Sequence, residues 1–275
     1  MKIQHHFAAL LLATVLFAAC NKEDQEEKDE EPNTGTVCRP STVYLYGISN
    51  SGDFIDTLLY TYADAGVAKV TGPDYYFTFD YSGGRIVRRN YFEKSNGTAM
   101  EQETYETITY NSDGTIAKVE SYYLDSNSPE LDYLYEFTYS SGKLTKHTFT
   151  WYLDGVPSGY TDTHFYTYTG NNITRDSVVQ SDPYGTDTEL YYYTYDTAEN
   201  HFSKSGTNAL FHSAIAMDMD GGMLPFFFSA NNVIKFREAP DDDETHFSYT
   251  TDAKGNLTMM KLDDMPGVVW KYECP

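Results

Sequence analysis

One short phrase is written eight times into this 275-residue chain, and it limits the possible folds more than any other feature. An aromatic anchor, usually preceded by threonine, leads into a turn of glycine, asparagine or aspartate. Isoleucine, leucine or valine follows, with a basic residue often two places later. The clearest copies run Phe79–Arg88, Thr109–Lys118, Thr138–Lys146 and Thr167–Arg175. Looser copies anchor on Tyr62, Tyr195, Phe228 and Tyr249. Successive anchors lie 19, 29, 29, 29, 27, 33 and 21 residues apart.

Each phrase reads as a β-hairpin, because glycine and asparagine supply the positive φ that a tight two-strand turn needs. The strands alternate. Tyr135, Phe137 and Tyr139 fall on one face, as do Tyr191, Tyr193 and Tyr195, and Phe77, Phe79 and Tyr81, with Thr78, Glu136 and Thr194 opposite. Tyrosine and threonine favour such half-buried pleated surfaces. Eight hairpins with flanking strands near Val43–Gly47 and Val268–Tyr272 predict an all-β domain of about 16–18 antiparallel strands. So wide a sheet must hide its aromatic face. It can curl into a closed barrel, flatten into a sandwich-like barrel, or stack as a solenoid; closure also removes the exposed edges. Ala209–Met217 breaks the alternation and reads as a short helix. The Met- and Phe-rich stretch that continues to Phe228 is expected to cap or plug one end.

The chain organisation is threefold. Residues 1–19 read as a signal peptide, with an apolar run too short to span a bilayer. Leu16-Phe17-Ala18-Ala19-Cys20 resembles the bacterial lipobox, which implies cleavage before Cys20 and its lipidation. Residues 20–36 form an acidic tether with no apolar residue after the cysteine, so nothing there offsets the entropy of ordering. A carboxylate run at this place is similar to the surface-export signal of Bacteroidota lipoproteins, implying the outer face of the outer membrane. Residues 37–275 are a single domain. Cys38 and Cys274 stand at its two ends, and outside the cytoplasm such a pair is expected to form a disulfide joining the first strand to the last.

Phe79-Asp80-Tyr81-Ser82-Gly83-Gly84-Arg85-Ile86, Tyr193-Thr194-Tyr195-Asp196 and Lys254-Gly255-Asn256-Leu257-Thr258 resemble YD (RHS-type) repeats. Together with the lipobox and tether, they make the chain similar to Bacteroidota surface lipoproteins of uncharacterised function, some with a porin-like β fold. The resemblance transfers no catalytic residue.

Composition narrows the function. The formal net charge is −22, and the domain keeps 16 basic against 34 acidic residues once the ends are set aside, about −18. Such a surface repels phosphate backbones, so nucleic acid is not an expected partner. Asp218-Met219-Asp220-Gly221 lacks the later ligands of a calcium loop, and Asp241–Glu244 reads as a solvated turn. The histidines show no zinc spacing, so neither metal nor cofactor is expected. No nucleophile elbow, phosphate loop or dinucleotide fingerprint is present, and the many carboxylates select no catalytic pair. The expected protein is not an enzyme.

Aromatic residues outside the repeat are the strongest binding signal. Tyr122, Tyr123, Trp151, Tyr152, Tyr160 and Tyr184 lie near hairpin ends opposite the repeat turns, where tyrosine and tryptophan can stack on sugars or dock a protein. The repeat cations Lys69, Arg88, Lys118, Lys146, Arg175 and Lys235 are expected to pair with strand carboxylates. The sequence thus describes a lipid-anchored, non-enzymatic envelope protein that binds an extracellular glycan or a surface-complex partner. A purely structural envelope protein and a porin-like barrel are the alternatives.

Overall fold

The computed structural model describes residues 38–46, 54–95, 99–125, 128–203, 223–240, 243–263 and 265–274. Cys20, the tether, the expected helix at Ala209–Met217 and the Asp218–Gly221 stretch lie outside them. The first eight strands are β1 (Arg39–Tyr46), β2 (Phe54–Ala63), β3 (Gly66–Thr71), β4 (Tyr75–Ser82), β5 (Arg85–Ser95), β6 (Ala99–Tyr110), β7 (Ile116–Asp125) and β8 (Ser128–Ser140). They are followed by β9 (Lys143–Leu153), β10 (Val156–Thr169), β11 (Asn172–Asp182), β12 (Gly185–Glu199), β13 (Asn231–Ala239), β14 (Glu244–Thr251), β15 (Leu257–Leu262) and β16 (Met265–Glu273). Each strand pairs antiparallel with its neighbours in sequence, and β1 pairs with β16, so the sheet closes into a 16-stranded barrel. At the seam Val43 faces Trp270, and Cys38 and Cys274 are disulfide-bonded next to the Arg39–Glu273 pair.

The barrel is filled. Val67, Ile86, Ile116, Leu144, Ile173, Val233 and Leu257, the aliphatic residues that follow the repeat turns, are all at most 1% exposed. Burying each stabilises by about 1.5–3 kcal/mol. A circular barrel of this strand number would leave a water channel, so complete burial requires facing walls to close on one another.

A bulge after each repeat turn sorts side chains between the two faces. In a regular strand Ile86 and Arg88 share a face. Here Tyr81 pairs with Ile86 but Asp80 pairs with Arg88, so the extra residue Val87 flips the parity. Ile86 enters the core while Arg88 points outward. The same shift separates Ile116 from Lys118, Leu144 from Lys146 and Ile173 from Arg175. Outside, Lys118 meets Glu120 at 2.9 Å and Lys235 meets Glu244 at 2.8 Å, whereas Lys69 and Arg88 each sit 3.7 Å from the ring centres of Tyr76 and Tyr105. Pairing with strand carboxylates therefore describes only some of the repeat cations; others cap tyrosine rings.

The repeat anchors are latches. Tyrosines 62, 81, 110, 139, 168, 195, 249 and 272 end the eight even-numbered strands at the same end of the barrel. Six donate their hydroxyls to a carbonyl of the preceding strand: Tyr62 to Pro40, Tyr81 to Val67, Tyr110 to Ile86, Tyr195 to Ile173, Tyr249 to Val233 and Tyr272 to Leu257. Tyrosine is needed there, and phenylalanine could fill the volume but not the bond.

Phe228 is a correction to the expected repeat. Leu224–Phe228 form a short helix, α1, not a strand end, and the eighth latch is Tyr272. The Asn231-Asn232-Val233 turn imitates the phrase, but Pro225 at the first helical turn and the burial of Leu224, Phe226 and Phe227 place this segment in the core. Phe226 meets Phe247 edge-on, and Asn200 donates to the carbonyls of Phe226 and Ser229, tying the helix to β12.

Burial raises the latch phenols: Tyr81 and Tyr168 to about 12, and Tyr62, Tyr110, Tyr139, Tyr195, Tyr249 and Tyr272 further. The unfolded chain releases these protons near pH 10 while the folded chain retains them. Their contribution is complete below about pH 10 and is lost as pH rises through the folded values. Each such phenol adds up to about 1.4 kcal/mol per pH unit to the slope. Alkaline titration should therefore show the last share of the tyrosinate absorbance, that of the buried latches, appearing together with loss of β dichroism. Latch tyrosines ionising near pH 10 in a protein that stays folded would contradict this.

Candidate functional site

The two ends of the barrel differ. The latch end carries the repeat turns, α1 and the Cys38–Cys274 seam. At the opposite end β5 to β12 are long, and their connecting tips form a rim. Seven of the exposed large apolar residues lie there: Met100, Tyr123, Trp151, Leu153, Val156, Tyr160 and Tyr184.

Local turn chemistry builds the rim. Asp154 and Gly155, both at positive φ (52° and 71°), make the tight β9–β10 turn and leave Leu153 and Val156 paired and exposed. Ser158-Gly159-Tyr160 then bulges from β10. Ser158 donates to the Trp151 carbonyl at 2.9 Å and accepts from the Tyr160 N–H, which brings the Trp151 and Tyr160 rings to 5.9 Å. Gly159 (φ 90°) lies so close to the next tip that a Cβ would stand 3.2 Å from Pro183. In that neighbouring tip the Asp182 side chain accepts from the N–H groups of Tyr184 and Gly185, and Tyr184 projects with 91% of its surface exposed.

The six aromatic candidates thus share one end but not one role. Trp151 and Tyr160 form a ring pair on one tip, Tyr184 stands on the adjoining tip, and Tyr123 is exposed on β7. Tyr122 faces the outer wall, stacked on Tyr105 at 5.0 Å. Tyr152 pairs with Pro157 and is only partly exposed. Leu153, Val156 and Met100 escaped sequence reasoning; the Asp154-Gly155 turn was the available signal, since it predicts exposed flanking residues.

Below the rim the interior becomes polar and acidic. Burial and the neighbouring Glu93 and Glu101 raise the Glu103 carboxyl. Burial also raises Asp132, and the Trp151 indole, donating to it, opposes that rise. Deeper, Arg89 pairs with Glu106 at 2.5 Å, and the Tyr133 hydroxyl donates to the same Glu106 oxygen at 2.8 Å. Register brings His147 opposite His164, with rings stacked at 4.4 Å. His164 Nδ1 donates to Asp176 at 2.7 Å, and His147 Nδ1 meets the Tyr166 hydroxyl at 3.1 Å. Burial raises the Asp176 carboxyl and the His164 bond opposes it. Both histidines and Asp176 are sealed from solvent, so no substrate reaches them. Among the described residues, no group of three or more histidine, cysteine or acidic side chains is arranged to hold a metal ion.

No protein-family profile matches the chain, and no similar curated protein was found. Among solved structures, the chain is similar to a porin-like protein from Bacteroides uniformis ATCC 8492, with a TM-score of 0.47 and 16% identity over 85% of this chain and 98% of that one. It is similar to a porin-like protein from Bacteroides vulgatus ATCC 8482 at a TM-score of 0.35 and 10% identity, over the same shares. A DUF3836 family protein from B. vulgatus ATCC 8482 is covered to 98% by 42% of this chain, at a TM-score of 0.26 and 14% identity. These likenesses assign no activity or ligand to this chain.

Proposed function

We propose that this protein is a lipid-anchored, non-enzymatic binding protein of the outer-membrane surface that presents its aromatic rim to an extracellular glycan. The carrying observation is the concentration of exposed apolar side chains at the barrel end opposite Cys38, where the tether from Cys20 enters the domain. With the anchor at one end of the barrel, the aromatic rim at the other is held away from the membrane. Surface rings such as Trp151, Tyr160 and Tyr184 provide stacking area with little rotamer entropy to lose.

Two observations weigh against the other readings. Lys69, Arg88, Lys118 and Glu120 project from the outer wall, while Val67, Ile86, Ile116 and Leu144 fill the interior at the latch end. A barrel crossing lipid turns an apolar band outward instead. A purely structural protein has no need to gather seven exposed large apolar side chains at one end of the barrel.

Cys20→Ser should abolish palmitate labelling and release the chain from membranes. Glycan-array binding by the full chain should weaken at least tenfold in a Trp151→Ala, Tyr184→Ala variant that melts like the native protein. An array without any ligand, together with unchanged recovery of envelope partners by that variant, would leave the structural reading in place.

A further inference from the structure

The middle of the outer wall formed by β10 to β14 has a charge opposite to that of the whole chain. Residues 161–167, 175–181, 186–194, 235–239 and 244–250 make up this section, between Asp182 at the rim and Asp196 and Glu199 toward the latch end. Six carboxylates occur in these ranges, and five, Asp162, Asp176, Asp187, Glu189 and Glu238, take inward positions. Only Glu244 points out. All three arginines and lysines there, Arg175, Lys235 and Arg237, point outward, beside His246. On a chain of formal net charge −22 this is a cationic island.

The cations are ordered in the register. Arg175 pairs with Tyr192, Tyr192 with Arg237, and Arg237 with Glu244, so one row crosses four adjacent strands. Arg237 lies over the Tyr192 ring at 4.8 Å, and Lys235 bonds Glu244 at 2.8 Å. Tyr192, Thr194, Lys235, Arg237 and Glu244 line an open groove of about 480 Å³. Two strand spacings separate the arginines, roughly 10 Å, comparable to the length of a disaccharide. Thr167 and Ser177 flank Arg175, and Thr194 lies beside Lys235.

We propose that this groove and the adjoining Arg175 bind an anionic saccharide, with acid groups on sugars about two residues apart meeting Arg175 and Arg237. Guanidinium matches carboxylate or sulfate with two parallel hydrogen bonds. The flanking threonine and serine hydroxyls match sugar hydroxyls, which an acidic polypeptide does not offer. The groove lies on the barrel wall, apart from the rim, and does not depend on the rim's function.

The test is binding of the full chain to polygalacturonate, dextran sulfate, neutral dextran and polyglutamate. At least one of the two anionic polysaccharides should bind, more weakly as salt rises, and their comparison distinguishes carboxylate from sulfate. Neutral dextran should not bind the Trp151→Ala, Tyr184→Ala variant, whose rim is disabled. Adding Arg175→Gln and Arg237→Gln to that variant should cost at least tenfold in affinity for the anionic polysaccharide. Glu244→Gln removes the carboxylate that lines the groove and should strengthen binding, which keeps the test decisive if the arginine variant folds poorly. Equal binding of neutral dextran by the rim variant, polyglutamate binding as tight as the polysaccharides, failure of both anionic polysaccharides, or an unchanged affinity in a folded arginine variant would each overturn the assignment.

Discussion

Replacing Cys38 and Cys274 with serine should lower the unfolding free energy by about 3–5 kcal/mol. The bond joins residues 236 apart in sequence, so it restricts almost the whole unfolded domain. On the chain-entropy account a loop of that size contributes about 5 kcal/mol. The effect has a structural side as well. β1 and β16 are the one neighbouring pair in the barrel that is not consecutive in sequence, and their pairing from Arg39–Glu273 to Leu45–Val268 must otherwise form between distant ends of the chain. Val43, Leu45, Val268 and Trp270 are buried at this seam. The serine variant should therefore lose hydrogen-exchange protection first in β1 and β16. Urea denaturation with and without reductant checks the magnitude, and identical midpoints would mean that the seam holds without its bridge.

The second large effect concerns Arg89 and Glu106. Both side chains are at most 5% exposed, and they meet at 2.5 Å. Tyr133 donates to the same carboxylate, and Arg89 lies 5.4 Å from the Phe77 ring centre. Arg89→Met should destabilise by about 3–5 kcal/mol because Glu106 would remain buried without its cation. The double change Arg89→Met, Glu106→Leu should recover most of that loss, since hydrophobic residues of similar volume replace a buried pair at little cost. Urea denaturation of the two variants decides the matter. Equal losses in both would show that packing, not the stranded charge, sets the effect.

How much was legible in the residues follows from periodicity. Alternation every second residue is local, so the hairpins, the aromatic inner face and the flanking strands at Val43 and Trp270 could be read directly. Parity across a bulge is not local. Nothing in Ile86-Val87-Arg88 announces that Val87 is the extra residue, and without it Arg88 would share the core face with Ile86. The same uncertainty hid the His147–His164 stack, whose members are 17 residues apart and meet only through the β9–β10 register. Phe228 misled for the converse reason: an aromatic residue before Asn-Asn-Val satisfies the phrase, yet Pro225 and the buried Phe226 and Phe227 favour a helix packed inside the barrel. At the rim, the aromatic residues were visible as departures from the repeat. Their grouping was not, because Gly159 and Pro183 come together only when two hairpin tips lie side by side.

The order of residues alone determined that this chain makes antiparallel hairpins with one aromatic side, because backbone sterics and side-chain alternation act over neighbouring positions. Tertiary structure decided that the sheet closes at sixteen strands, that six anchor hydroxyls tie an even-numbered strand to the preceding one, and that cations face water in the middle of the β10 to β14 wall while most acids there turn inward. Those outcomes depend on register and closure, which are properties of strands paired across the whole chain and of the shared interior they must fill.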